Sequence, residues 1–151
     1  MPTHYSGTRT EVLTLDTFIK LTRCTNALQA RLSERATIGD LTYSQFAVME
    51  ALYHLGSMTQ GEISRKVLKS VSNITTVIDN LERDRLVQRE RDTRDRRVIH
   101  VHLTQMGREK LETVFPRHVA ALVDEFSVLT ESEQEKLAEL CRKLGKGKEG
   151  S

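Results

Sequence analysis

The chain has 151 residues, 38% hydrophobic and 29% charged, with two prolines and no tryptophan, a balance that suits one compact, helix-permissive domain and excludes a multidomain enzyme. Its 23 Lys and Arg against 21 Asp and Glu leave a formal charge of +2, too small a surplus for a tail that coats nucleic acid or membrane, so any basic footprint has to be local. Cys24 and Cys141 form no CxxC pair, which argues against a zinc finger or disulfide scaffold and for a reducing interior. No run approaches the roughly 20 apolar residues of a membrane helix, and the polar start lacks the apolar stretch of a signal peptide. A cytoplasmic chain with no membrane partner is expected.

In chain order, Leu15, Phe18, Ile19, Leu21, Cys24, Leu28 and Leu32 recur at steps of three and four and predict a long first helix from about Leu13 to Arg35. Thr42 with Gln45, Thr59 with Glu62 and Thr130 with Glu133 fit the capping box, in which a Thr hydroxyl accepts from the backbone three residues on while the later side chain reaches back. The first of these opens a helix over Tyr43–Leu55, closed by Gly56, the residue type suited to the left-handed conformation past a helix end. The second opens a two-turn helix over Thr59–Val67 with Ile63 and Val67 turned inward, and Ser70 is a good N-cap for the longer helix that follows. Past that helix the period changes from 3.6 to 2, so Leu86–Arg91 and Arg97–Leu103 read as two strands around the polar turn 92–96. Thr130 opens a last helix carrying Leu137, Leu140, Cys141 and Leu144.

Charge is concentrated where the short helix, turn, longer helix and hairpin meet. Residues 65–97 hold ten basic side chains against six acidic ones, leaving 13 against 15 elsewhere. Phosphates need Lys and Arg only where the duplex lies, so this asymmetry fits one anionic partner on a neutral scaffold. On the longer helix Val71, Ile74, Val77, Ile78 and Leu81 gather on one side, and Ser72, Thr75, Thr76, Asp79 and Arg83 face away. A small polar face lets a helix approach base edges closely, which bulky charged side chains would prevent. The candidate DNA contacts are Lys69, Ser70, Ser72, Asn73, Thr75, Thr76 and Arg83 on this helix and its start, with Arg89, Arg91, Arg94, Asp95, Arg96 and Arg97 on the hairpin. A basic hairpin beside a helix-turn-helix is the layout of a winged helix, whose wing arginine enters the narrow, more negative minor groove. Asp95 is expected to brace Arg97 in a bidentate pose, since a carboxylate facing phosphates would be repelled.

The segment Leu41–Gly107 resembles the MarR family of bacterial transcriptional regulators. The resemblance rests on Leu41, Thr42 and Gln45, on Ile74, Thr75, Leu81 and Glu82, on Asp92, Asp95, Arg96 and Arg97, and on Leu103, Thr104 and Gly107. It departs at Asp84-Arg85, where the family often has a glycine. The resemblance implies a mostly α fold with a small β-hairpin wing, in which a winged helix-turn-helix over 42–103 (helix-turn-helix about 59–83, wing 86–103) is flanked by dimerisation helices over 13–36 and 104–145. Leu15, Phe18, Ile19, Leu137, Leu140 and Leu144 would then line the dimer interface. It further implies a homodimer that represses at a palindromic operator in double-stranded DNA and lets go when a small aromatic ligand or an oxidant reaches the region between the dimerisation helices and the winged part. The ITTVIDNLE helix, the YHLG turn and the Phe115-Pro116-Arg117-His118 stretch are most similar to a branch that responds to quinones and related aromatic electrophiles.

Other readings are weaker. His100 and His102 share a strand face, yet no spacing places a third ligand, so neither a metal nor a cofactor is expected. Cys24 reads first as a small buried hydrophobe, and second as the thiol of a redox-sensing regulator. Tyr53 and His54 suit core packing or the lining of a ligand pocket. No GxSxG, P-loop, GxGxxG or HExxH framework is present, so catalysis is not expected. A winged helix that assembles proteins would expose apolar anchors on its outer helix face, where this chain has Ser, Thr and Asn.

Overall fold

The computed structural model describes residues 4–67 and 71–150, apart from the side chains of 71, 72, 149 and 150. Its helices are α1 (Arg9–Glu34), α2 (Tyr43–Leu55), α3 (Gln60–Val67), α4 (Val71–Arg83), α5 (Gln105–Phe126) and α6 (Glu131–Lys146), and its strands β1 (Met58–Thr59), β2 (Val87–Arg91) and β3 (Ile99–Leu103). The fold is thus mostly α with a small antiparallel sheet, in the order β1-β3-β2. Where the sequence reads as one domain, the contacts gather into two compact units, Thr37–Val119 on one hand and Met1–Ala36 with Ala120–Ser151 on the other.

The three expected capping boxes form at Thr42, Thr59 and Thr130. A fourth, Thr8 with Glu11, starts α1 four residues before the expected Leu13. Gly56 closes α2 at φ 80°, a backbone conformation that costs a side-chain-bearing residue steric energy. The strands are shorter than expected, and β1 is an addition: Met58 pairs with Val101 and Thr59 with His100, so the entry to α3 is sewn onto the hairpin.

The unit Thr37–Val119 has a continuous core in which Phe46, Met49, Ile63, Ile74, Ile78, Leu81, Val87, Val101 and Leu111 are almost fully excluded from water. Burying such a side chain contributes about 2 kcal/mol each, and the inward stripe of α4 supplies three of them. The end of α4 is fixed by a Schellman arrangement: the Leu86 N–H donates to the Leu81 carbonyl at 2.9 Å and the Arg85 N–H to the Glu82 carbonyl at 3.0 Å. Arg85 occupies the left-handed position, at φ 61°, so the arginine at the point where the sequence departs from the resemblance adopts the conformation that glycine favours. Thr104 then clasps this joint, its hydroxyl donating to the Arg85 carbonyl at 2.6 Å and its N–H to the Leu86 carbonyl at 3.1 Å. Gly107, in the first turn of α5, packs so tightly on that joint that an added Cβ would lie 2.0 Å from the Leu86 oxygen.

His118 and Thr37 are the two buried polar residues at the margins of this unit, joined by a hydrogen bond of 3.0 Å between His118 Nδ1 and Thr37 Oγ1. The imidazole sits edge-on to Phe46, with ring centroids 4.7 Å apart. Burial pushes its pKa down, and the opposing pull of Glu50 does not cancel that effect.

In the other unit, Arg31 Nε donates to Glu125 at 2.6 Å, and Arg35 pairs with Asp124 at 2.5 Å and with Glu125 at 3.0 Å. Leu32 is buried, but most of the apolar stripe of α1 is not: Phe18 is 63% exposed, and Leu15 and Ile19 are half-buried. Leu137, Leu140 and Leu144 on α6 are also exposed. Cys24 is exposed as well, which corrects the expectation of a small buried hydrophobe there, because the stripe carrying it is not covered within one chain; Cys141 is also exposed.

Two measurements check this packing. Gly→Ala in an ordinary helix stabilises by about 1 kcal/mol, whereas Gly107→Ala should destabilise by about 2 kcal/mol in urea melts, because the methyl meets backbone rather than solvent. For His118 the unfolded chain takes up a proton near pH 6.5 while the folded chain resists it, so stability should fall as pH drops through about 6.5 and level off below the depressed folded value. His118→Gln should remove that part of the pH dependence in denaturation midpoints measured between pH 5 and 7.5.

Candidate nucleic-acid interface

The outer face of α4 follows from its amphipathic spacing. Ile74, Val77, Ile78 and Leu81 enter the core, and Asn73, Thr75, Thr76, Asp79 and Arg83 are exposed. Lys69 and Ser70, and the side chain of Ser72, lie outside the described residues. The exposed patch is therefore built of short hydrogen-bonding groups on a helix held rigidly from behind. Gln60, the first residue of α3, donates from its amide nitrogen to Thr75 Oγ1 at 2.5 Å, a contact across the helix pair that sequence spacing did not suggest.

The hairpin is organised by Asp92. Its Oδ1 accepts from the backbone N–H groups of Arg94 at 2.7 Å and Asp95 at 3.0 Å, closing an Asx-type turn. Its Oδ2 lies 3.1 Å from His100 Nε2 on β3. The two backbone donors, ahead of the histidine, hold this carboxyl below the usual carboxylate range. The backbone closes the turn further, Asp92 N–H donating to Val98 O at 2.9 Å and Val98 N–H to Asp95 O at 3.0 Å. His102 lies 3.9 Å from Glu90, and among the described residues no group of acidic, His and Cys side chains could hold a metal ion.

The wing arginines are not equivalent. Arg97 Nε and Nη2 each lie 3.1 Å from the two oxygens of Asp95, whose Oδ1 also accepts the Arg97 N–H at 3.0 Å; this is the bidentate brace that the spacing suggests. The pairing keeps the Asp95 carboxyl below its ordinary range while the Arg97 side chain stays 91% exposed. Arg91 donates to the Arg96 carbonyl at 3.2 Å. Arg94 and Arg96 are exposed and form no ion pair among the described residues. Arg89 differs: its guanidinium lies 2.6 Å from Asp79 and 3.1 Å from Glu82, and its own N–H donates to Glu82 at 2.9 Å. Grouped by sequence with the open arginines, it is instead an internal tie between β2 and α4. Arg83 lies 3.5 Å from its neighbour Asp84.

Away from this face, Tyr53, Leu111, Glu112, Phe115 and Pro116 line a small cavity of about 160 Å³. His54 stands edge-on to Tyr53 at 5.2 Å and to Phe115 at 5.6 Å, and the Arg108 guanidinium sits 5.2 Å from the Tyr53 ring centre. Pro116, inside α5, has no N–H to offer the Glu112 carbonyl.

Residues 41–99 match the model of the MarR family. The chain is 34% identical over 131 residues to the HTH-type transcriptional regulator MhqR of Bacillus subtilis, covering 87% of this chain and 90% of that protein. It is 32% identical over 122 residues to the HTH-type transcriptional repressor MdtR of the same organism, covering 81% of this chain and 79% of the relative. Among solved structures, that of Bordetella bronchiseptica BpsR, reported for regulation of DNA binding by 6-hydroxynicotinic acid, superposes with a TM-score of 0.79 at 24% identity over 96% of this chain and 98% of that one. A recognition-type helix with a polar outer face, a hairpin whose tip bears exposed arginines and these sequence similarities over most of the chain agree, and the chain belongs to the MarR family of DNA-binding transcriptional regulators, which are not enzymes.

Proposed function

We propose that this regulator is a homodimeric repressor of a palindromic operator, with α4 of each protomer in a major groove and the wing at the adjoining minor groove. The observation that carries the reading is the pairing of an exposed Asn73, Thr75 and Thr76 face with wing-tip arginines that have no partner carboxylate among the described residues, Arg94 and Arg96. Lys69, Ser70, Ser72 and Arg83 would extend the helix contact, and Arg91 and Arg97 the wing contact. In this scheme Asp95 and Arg89 position their neighbours, Asp95 by aiming Arg97 and Arg89 by holding the wing against α4.

Dimerisation is supported by the apolar residues that one chain does not fully cover on α1 and α6: Phe18, Leu137, Leu140 and Leu144 are exposed, and Leu15 and Ile19 only half-buried. So many large apolar side chains facing water on two helices mark an interaction surface. The segments 13–36 and 104–145 then serve as the dimerisation helices and 42–103 as the winged helix-turn-helix. Repression is supported by the likeness to the repressor MdtR, and control by a small molecule by the likeness to BpsR, whose DNA binding 6-hydroxynicotinic acid regulates. The effector site would be the Tyr53–Phe115 cavity beside His54, which is large enough for one aromatic ring and lined by ring faces, and so suits a small aromatic or quinone-type compound. The protein would work in the cytoplasm.

Selection of bound genomic fragments by the purified protein, with and without a panel of phenols and quinones, should yield a palindrome whose half-sites lie about 10 base pairs apart. Sequence-independent binding alone would sink the operator reading. On the selected duplex, Arg97→Ala should lower affinity and reduce the salt slope by about one unit if the arginine neutralises one phosphate. A double change, Leu140→Lys with Leu144→Lys, should shift the sedimenting species from dimer to monomer, and a dimer that survives it would place the interface elsewhere.

A further inference from the structure

We propose that Gln60 is a specificity-positioning residue: by holding the Thr75 hydroxyl it makes the Gln60–Thr75 pair, rather than Thr75 alone, set the base preference at one position of each half-site. The inference rests on the reading that the outer face of α4 meets base edges, and it goes beyond that reading by adding a residue from the other helix of the pair.

Gln60 opens α3 and Thr75 lies in the second turn of α4, so the bond of 2.5 Å from Gln60 Nε2 to Thr75 Oγ1 spans two elements. In a helix, threonine divides its side chain between two rotamers, because its hydroxyl competes for the carbonyl of the preceding turn. A donor reaching over from the neighbouring helix adds a constraint on which of those rotamers is populated. The bond also occupies one acceptor lone pair of the hydroxyl, which changes what Thr75 can offer a base edge. Gln60 keeps its second amide hydrogen and its carbonyl oxygen, and among the described residues that amide makes no other hydrogen bond. A donor and an acceptor on one planar amide are the groups that glutamine uses to read a base edge.

A purely structural role explains this bond poorly. Thr75 is exposed and Gln60 only half-buried, so water can replace either partner and the bond adds little to the stability of the fold. The packing of α3 on α4 is already secured by Ile63, Ile74 and Ile78 in the core. The bond's main consequence lies on the surface, where it sets the direction of two polar groups.

The test uses the full-length protein and its best-binding selected duplex, with fluorescence anisotropy on every single base-pair substitution of one half-site. Gln60→Ala and Thr75→Val should each reduce discrimination at the same base pair by roughly tenfold. The double variant should be no flatter there than either single one. Thr75→Ser, which keeps the hydroxyl, should retain the wild-type profile, and thermal melting and binding to non-cognate DNA should stay at wild-type values throughout. A Gln60→Ala profile identical to wild type, or one weakened equally on every duplex, overturns the proposal while leaving the operator reading intact. A wild-type protein that discriminates at no base pair overturns the operator reading, and the proposal with it.

Discussion

The constraint on which the rest of the winged unit depends is the joint at Arg85-Leu86. Four elements converge there on a single dipeptide. The C-terminal turn of α4 ends on the Arg85 and Leu86 N–H groups, β2 begins immediately after, the Thr104 that follows β3 takes both carbonyls, and Gly107 of α5 rests against the Leu86 oxygen. All four backbone polar groups of this dipeptide are thereby paired within the protein. Because the recognition-type helix and both wing strands leave from one hydrogen-bonded point, their mutual angle is set by covalent geometry rather than by long, bendable loops. The left-handed Arg85 is the local cost of that sharpness, borne by a residue with a side chain in a conformation that glycine adopts freely.

Charge on the wing is managed by pairing rather than by excess. The wing reads in sequence as a run of arginines softened by acids, and the structure sorts those acids into distinct tasks. Asp92 shapes the turn through backbone donors, Asp95 orients one guanidinium, and Asp79 with Glu82 takes Arg89 out of the exposed set. What remains open at the tip is a small, spatially defined positive group, in keeping with a chain whose overall charge is only +2. The result favours a geometrically specific encounter over indiscriminate attraction to polyanions.

Most of the architecture was legible because it is written in local periods. The threonine boxes at Thr42, Thr59 and Thr130, the apolar stripe of α4 and the change of period at Leu86 each need only a few neighbouring residues to be seen. The box at Thr8 and Glu11 carries the same signal, but the first turn it opens has no apolar spacing to mark a helix there. Strand β1 has two residues, too few for any period, and exists because Val101 and His100 pair with it from far along the chain. The partners of Arg89 and the bond between Gln60 and Thr75 were illegible for the same reason: they are set by how elements pack, not by spacing within one. Cys24 illustrates a different limit. Periodicity reveals that a helix face is apolar, but not whether the same chain covers it.

The tie from Arg89 to Asp79 and Glu82 has a thermodynamic consequence. A hairpin that hung free would surrender its conformational entropy on meeting a partner, and that loss would be subtracted from whatever its arginines gain. Fastened to α4 by two ion pairs and a backbone hydrogen bond, this hairpin has already given up that freedom during folding. Docking then resembles the closing of preformed surfaces, in which more of the contact energy survives as affinity and the enthalpy of binding is less offset by ordering.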